Sequence, residues 1–208
     1  MEKFLKQNNY EIIDFGQKDY LEILSLQEEI LKKKQDNQLT KDYILVGEHF
    51  PIYTAGKTTK QEHIYNIPEN VPLIKVERGG SVTFHGIGQL VVYPIVDLRR
   101  KKLSVKNFVY RLEQAIIKTC EYFDVRAFRK ANLTGVFTKE GKIGFIGIRV
   151  SKFITMHGLS LNVDTDKKYF SYINPCGIST KVVNINDYKK VDIAKVKLIL
   201  VKNILSVL

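Results

Sequence analysis

The chain has 208 residues, 44% of them hydrophobic and 11% aromatic, with 33 Lys and Arg against 22 Asp and Glu for a formal charge of +11. That length buries a sizeable core and fits one domain, expected to span 1–208, while the apolar content excludes a disordered tail protein and no apolar run reaches the roughly 20 residues that cross a bilayer. Two cysteines and four scattered histidines exclude a disulfide framework and a four-ligand zinc site, so neither a metal nor a bound cofactor is expected.

The first twenty residues mix Glu2, Glu11 and Asp14 with apolar side chains, unlike a secretory signal or an acid-poor transit peptide, and a cytoplasmic location is expected. A helix is predicted over 19–34, with Tyr20, Ile23, Leu24, Ile30 and Leu31 near one face. Short β-branched or aromatic runs at 43–46, 73–76, 81–84 and 90–94, separated by Gly and Pro, read as strands, with a short turn before 60–65. Ser104 reads as the N-cap of a second helix whose stripe is Val105, Phe108, Val109, Leu112, Ile116, Cys120 and Phe123. On that stripe Cys120 is a small core hydrophobe. Runs at 133–139 and 142–150 flank Glu140-Gly141 as a hairpin, 153–163 continues the sheet, and a last helix starts at Asp192 with Ile193, Val196, Leu200, Ile204 and Val207. Strands cluster instead of alternating with helices, which predicts an α+β fold with a mixed, largely antiparallel sheet and helices packed on one face.

The densest glycine segment is Arg78-Gly79-Gly80-Ser81-Val82-Thr83-Phe84-His85-Gly86-Ile87-Gly88-Gln89. Glycine lets a ligand approach the backbone and aims successive N–H groups at an anion, but this spacing fits neither a P-loop nor a dinucleotide fingerprint. His85 follows a strand signal and is a candidate acid or base. Cys176 lies in Asn174-Pro175-Cys176-Gly177, a turn and not a helix face, as suits a nucleophile. Lys142 opens a glycine-bearing strand, from which it can reach across a cleft. The positive balance would suit nucleic acid, an anionic membrane or an acidic protein. No aromatic stacking motif or helix-turn-helix pattern supports nucleic acid.

Six separated motifs, in order, together resemble the lipoyl(octanoyl) transferase family, within the fold shared by lipoate and biotin ligases. They are Glu48-His49-Phe50-Pro51-Ile52-Tyr53-Thr54, the glycine segment from Arg78 to Gln89, Leu133-Thr134-Gly135-Val136-Phe137, Lys142-Ile143-Gly144-Phe145-Ile146-Gly147, His157-Gly158-Leu159-Ser160-Leu161-Asn162, and Pro175-Cys176-Gly177. Ile87 stands where the family usually has proline, and Phe137 where tryptophan is common. The resemblance implies that Cys176 takes the acyl group as a thioester with Lys142 as its activating partner. It also implies substrate contacts from Arg78, Gly79, Gly80, Ser81, Val82, Thr83, Phe84 and His85, from Phe145, Ile146 and Gly147, and from Gly158, Leu159 and Ser160. The implied activity moves octanoyl from acyl carrier protein to a lysine of lipoyl domains, those of 2-oxoacid dehydrogenases and the glycine cleavage H protein, by a monomer needing neither ATP nor metal. An ATP-dependent lipoate ligase and an octanoyl amidotransferase of the same fold are the alternatives. N–H groups at Gly79-Gly80 or along Phe145 to Gly147 are candidate oxyanion donors, and the basic run Arg99-Arg100-Lys101-Lys102 is a candidate docking face for an acidic carrier.

Overall fold

The computed structural model describes residues 9–174 and 181–208. The Pro175-Cys176-Gly177 motif lies outside the described residues. The elements run β1 (Tyr10–Lys18), α1 (Tyr20–Gln35), β2 (Asp42–His49), β3 (Ile52–Ala55), β4 (Leu73–Lys75), β5 (Val82–His85), β6 (Gln89–Ile95), α2 (Val105–Tyr122), β7 (Phe128–Lys130), β8 (Leu133–Phe137), β9 (Lys142–Ser151), β10 (Ile154–Asn162) and α3 (Ile193–Val207). A seven-stranded sheet has the order β1-β2-β6-β10-β9-β8-β7, and a three-stranded sheet has the order β4-β3-β5. In the larger sheet only the β1–β2 pair is parallel. The mixed, largely antiparallel sheet expected from the strand spacing is therefore present.

Helix starts follow local chemistry. The Ser104 hydroxyl accepts from the Asn107 amide at 3.2 Å, and the Asp192 carboxylate accepts from the Ala194 amide at 2.8 Å, each satisfying a donor that the first turn leaves orphaned. On α2 the stripe buries Phe108, Leu112, Ile116 and Cys120, but Val105, at its exposed first position, does not join them.

The helices divide between the two faces of the large sheet, where the strand pattern alone had placed them on one. Ile44, Val46, Leu90 and Val92 face Phe108, Leu112 and Ile116 of α2 and Val196, Leu200 and Ile204 of α3. The alternate residues Tyr43, Leu45, Val91, Tyr93 and Ile95 pack with Ile23, Ile30 and Leu31 of α1 on the other side. The physical reason lies in the central strands. All of β6 and nearly all of β2 are buried, so both faces need a cover, as near-continuous apolar strands require.

Three strands escaped the periodicity reading. β1, Tyr-Glu-Ile-Ile-Asp-Phe-Gly-Gln-Lys, has no clean alternation and is held by parallel pairing to β2. β3 and β7 are four and three residues long, too short to show a period.

The small sheet places the functional loop. Thr54 of β3 pairs with Thr83 of β5, and the turn before β5 reaches β9 through the Gly79 amide, which donates to the Ile148 carbonyl at 2.9 Å. A cleft results between the small sheet and the β9–β10 hairpin.

Candidate active site

A cavity of about 530 Å³ occupies this cleft. Its walls include Arg78, Gly80, Ser81, Val82, Thr83 and His85 from the glycine segment, and Lys142, Phe145, Ile146, Gly147, Gly158, Leu159 and Ser160 from the β9–β10 hairpin. Most residues singled out in the sequence thus converge on one space. Two do not line it. The Gly79 amide is consumed by Ile148 and is no free oxyanion donor. Phe84 is fully buried beneath the cavity, stacked on Tyr169 at 4.5 Å and edge-on to Phe170, because the alternation of β5 turns it away from Thr83 and His85.

Lys142 enters from one end and is only 4% exposed. Its ammonium donates to the Thr134 carbonyl at 2.9 Å and lies 4.8 Å from the Phe145 ring centroid. Room for it comes from Gly135, at φ +120°, where a Cβ would stand 2.6 Å from Lys142 Cε. The backbone of Lys142 is fixed on both sides: its amide donates to the Lys181 carbonyl at 2.8 Å and its carbonyl accepts from the Val183 amide at 3.0 Å. The chain that returns after the cysteine motif therefore runs beside Lys142.

Arg78 is buried, and among the described residues its hydrogen-bond acceptors are all neutral. Nη1 donates to the carbonyls of Gly79 and Ser81 at 3.0 and 2.9 Å, and Nη2 to the carbonyl and Oγ1 of Thr54 at 2.6 and 2.8 Å. Burial pulls its pKa down. This guanidinium ties the turn to β3 and needs a close backbone to fit: a Cβ on Gly147 would lie 3.0 Å from Arg78 Cδ and 2.9 Å from the Gly79 carbonyl. Among the described residues, Arg78 Nε and Thr83 Oγ1 are buried without a hydrogen-bond partner, and both residues line the cavity. Unpaired buried donors are costly, and these two belong to residues of the cavity wall.

The far end is an aromatic cluster. Tyr20, His85, Tyr93 and His157 line it, with His49 packed behind against Tyr20, His85 and Tyr93. Each tautomer follows from its partner. His49 Nδ1 contacts the Lys18 carbonyl at 2.8 Å, an acceptor only, so that nitrogen carries the proton and Nε2 accepts from Tyr93 Oη at 2.8 Å. Gln89 Nε2 donates to Asn162 Oδ1 at 2.9 Å and to the Phe84 carbonyl at 3.2 Å, leaving Oε1 to accept from His85 Nδ1 at 2.7 Å. His85 thus presents a lone pair at Nε2. Burial lowers the pKa of His49 to about 4 and those of His85 and His157 to about 3, so all three are neutral at physiological pH. Burial also raises Tyr20 to about 12.

Sequence reading gave Tyr20 and Tyr93 no site role because each looks like an ordinary core position on its own element, and it quoted His49 within a motif without assigning it one. It quoted His157 within a motif and assigned it no role. In the basic run 99–102, Arg99, Arg100 and Lys102 are exposed, Arg99 lying 3.5 Å from Asp97 and Arg100 donating to the Thr40 carbonyl, while the half-buried Lys101 reaches Tyr10 Oη and Asp42. Among the described residues no group of His, Cys, Asp and Glu is placed to hold a metal ion, and no helix is long and apolar enough to cross a membrane.

A small sheet closed over a larger one is a fold this chain shares with lipoate and biotin protein ligases. Lipoate-protein ligase A bound with ATP superposes with a TM-score of 0.77 over 96% of this chain and 85% of its own, at 14% identity. Biotin protein ligase from Aquifex aeolicus gives 0.55 over 94% and 67%, also at 14% identity. The family model for the lipoyl protein ligase A/B catalytic domain matches residues 19–205, and an octanoyltransferase of Persephonella marina is 48% identical over 94% of this chain and 96% of its own. An octanoyltransferase of Shewanella piezotolerans is 40% identical over 83% and 77%. The chain belongs to the lipoyl protein ligase A/B catalytic domain family.

Proposed function

We propose that this protein is an octanoyltransferase of protein lipoylation that takes octanoyl from acyl carrier protein as a thioester on Cys176 and delivers it to a lysine of a lipoyl domain. The observation that carries this reading is the buried Lys142 ammonium at the cavity, with the strand that follows the cysteine motif hydrogen-bonded along its backbone. Cys176 is two residues from Asn174, whose amide donates to the carbonyl of the cavity residue His63, and five from Lys181. The described residues on either side of the motif, Asn174 and Lys181, are thus hydrogen-bonded to residues of the cleft. The names of the relatives supply the octanoyl group. An archaeal lipoate protein ligase studied with its E2 lipoyl domain shares the fold, with a TM-score of 0.70 at 15% identity, which supports a lipoyl domain as acceptor.

A free thiol, with a pKa near 8.5, is only a few per cent thiolate at neutral pH. Lys142 as ammonium stabilises the thiolate. The thiolate adds to the carbonyl carbon of the donor thioester, the C–S bond to the carrier breaks, and the departing carrier thiolate takes a proton from the Lys142 ammonium, leaving that amine neutral and octanoyl on Cys176. The ε-amine of the target lysine then adds to that carbonyl, an amide forms, its surplus proton passes to Lys142 as neutral amine, and the Cys176 thiolate is restored. The positive field of Arg78, on the cavity wall, favours the oxyanion of each addition. In the same reading the whole chain, 1–208, acts as one catalytic domain and as a cytoplasmic monomer.

The test is intact mass after incubation with octanoyl-acyl carrier protein without ATP. A gain of one octanoyl group in the wild type, labile to hydroxylamine and absent from Cys176→Ala, is expected. No adduct, together with ATP-dependent acylation of a lipoyl domain from free octanoate, would replace the transferase by a ligase.

A further inference from the structure

Beyond the aromatic end of the acyl cavity lies a second cavity of about 630 Å³, whose lining joins the apolar Leu24, Ala55, Val76 and Met156 to charged residues such as Lys75, Glu77 and Arg149. Two residues line both spaces, the exposed Lys60 and the buried His157. The imidazole of His157 is the buried partition between them. It is held from three directions. The backbone adopts φ +58° inside β10, its amide donates to Gln27 Oε1 at 2.9 Å, and ring Nδ1 stands 3.4 Å from Tyr20 Oη. The neutral ring is an uncharged wall.

Its place along the cavity matches an acyl length. The Lys142 ammonium marks the reacting end and lies at the level of Phe145, 4.8 Å from its ring centroid. An extended octanoyl chain spans about 9 Å, roughly three residues of β9 at ~3.4 Å each. Three residues beyond Phe145 is Ile148, and the partner of Ile148 on β10 is His157. We propose that His157 is the end wall that sets acyl chain length, and that the second cavity is an extension, partly open to solvent, able to take the tail of a longer acyl group along its apolar residues. This rests on the octanoyl-thioester reading above.

Glycine at 157 adopts the positive φ freely, so His157→Gly removes the ring without adding backbone strain. The rate of acyl-enzyme formation is measured by intact mass with octanoyl- and dodecanoyl-acyl carrier protein. The wild type is expected to favour octanoyl. The variant is expected to shift the dodecanoyl-to-octanoyl rate ratio upward by on the order of tenfold or more, the discrimination a few methylenes command in an apolar pocket. Adding Leu24→Phe, which fills the second cavity from α1, is expected to return the ratio toward the wild-type value. Should His157→Gly fail to fold, His157→Asn tolerates the same backbone region and removes part of the ring, with a smaller shift in the same direction. An unchanged ratio in a folded variant overturns the inference while leaving octanoyl transfer intact. A wild type that forms no octanoyl adduct removes the reading beneath it, and the inference with it.

Discussion

Gly135→Ala tests whether the position of the Lys142 ammonium, and not merely its presence, governs acyl transfer. A Cβ built there stands 2.6 Å from Lys142 Cε, 3.0 Å from Lys142 Nζ and 2.7 Å from the Gly144 carbonyl. Ordinary contact begins at 3.4 Å, so the lysine must retreat by 3.4 − 2.6 = 0.8 Å or the strand must open. A misplacement of about 1 Å at a reacting group costs on the order of 100-fold in rate. The φ of +120° adds strain of about 1–3 kcal/mol to the folded state, which a protein of this size tolerates. The assay is the single-turnover rate of octanoyl adduct formation followed by intact mass, with thermal melting as the check on folding. A fall of about 100-fold is expected, and the same substitution in a Lys142→Ala background is expected to cost little more, since residues acting through one group are not additive. A folded Gly135→Ala enzyme within about threefold of wild type would refute the reasoning, because transfer would then be indifferent to an ångström at Lys142.

Arg78→Met removes four donated hydrogen bonds from the turn that carries Gly80 and Ser81; with about 1–3 kcal/mol at stake for each buried acceptor left unpaired, a loss of several kcal/mol is expected in urea unfolding, together with weaker donor use. Gln89→Leu deprives His85 of the acceptor that fixes its tautomer and unties Asn162; a lower adduct rate with little change in melting temperature is expected, and Gln89→Glu, which keeps the acceptor, should recover part of it. His49, His85 and His157 titrate near 6.5 when unfolded but at about 4, 3 and 3 when folded. The unfolded chain therefore binds more protons below pH 6.5, so stability is complete above that pH and falls as the pH drops toward 4, by roughly 2 kcal/mol per histidine at pH 5. Denaturant unfolding from pH 7.5 to 4.5 measures it, and His157→Gly should flatten the slope. Leu112→Ala, at a fully buried position between α2 and the sheet, is expected to cost about 2–5 kcal/mol without changing the ratio of octanoyl to dodecanoyl rates.

The sequence determined what depends on neighbours within a turn or two. The apolar stripe of α2, the caps at Ser104 and Asp192, the hairpin around Glu140-Gly141 and the glycine segment before β5 are all set by residues three or four apart, and each is present. Motif order sufficed to pick out Arg78, His85, Lys142 and Gly158 as residues of one cleft. Tertiary structure alone decided which face each helix covers, because β2 and β6 are apolar on both sides and periodicity carries no sign for direction. It also decided the fate of polar residues on apolar faces. Gln27 and Lys34 of α1 interrupt its hydrophobic stripe yet are buried, Gln27 accepting the His157 amide and Lys34 paired to Asp42 at 2.9 Å. Their partners lie on strands that only folding brings near. Tyr20, His49, Tyr93 and His157 form one wall although they stand on four elements spread over 137 residues. A pattern read along the chain sees spacing, whereas a cavity is defined by what fails to fill the space between distant segments, and that is settled only when they pack.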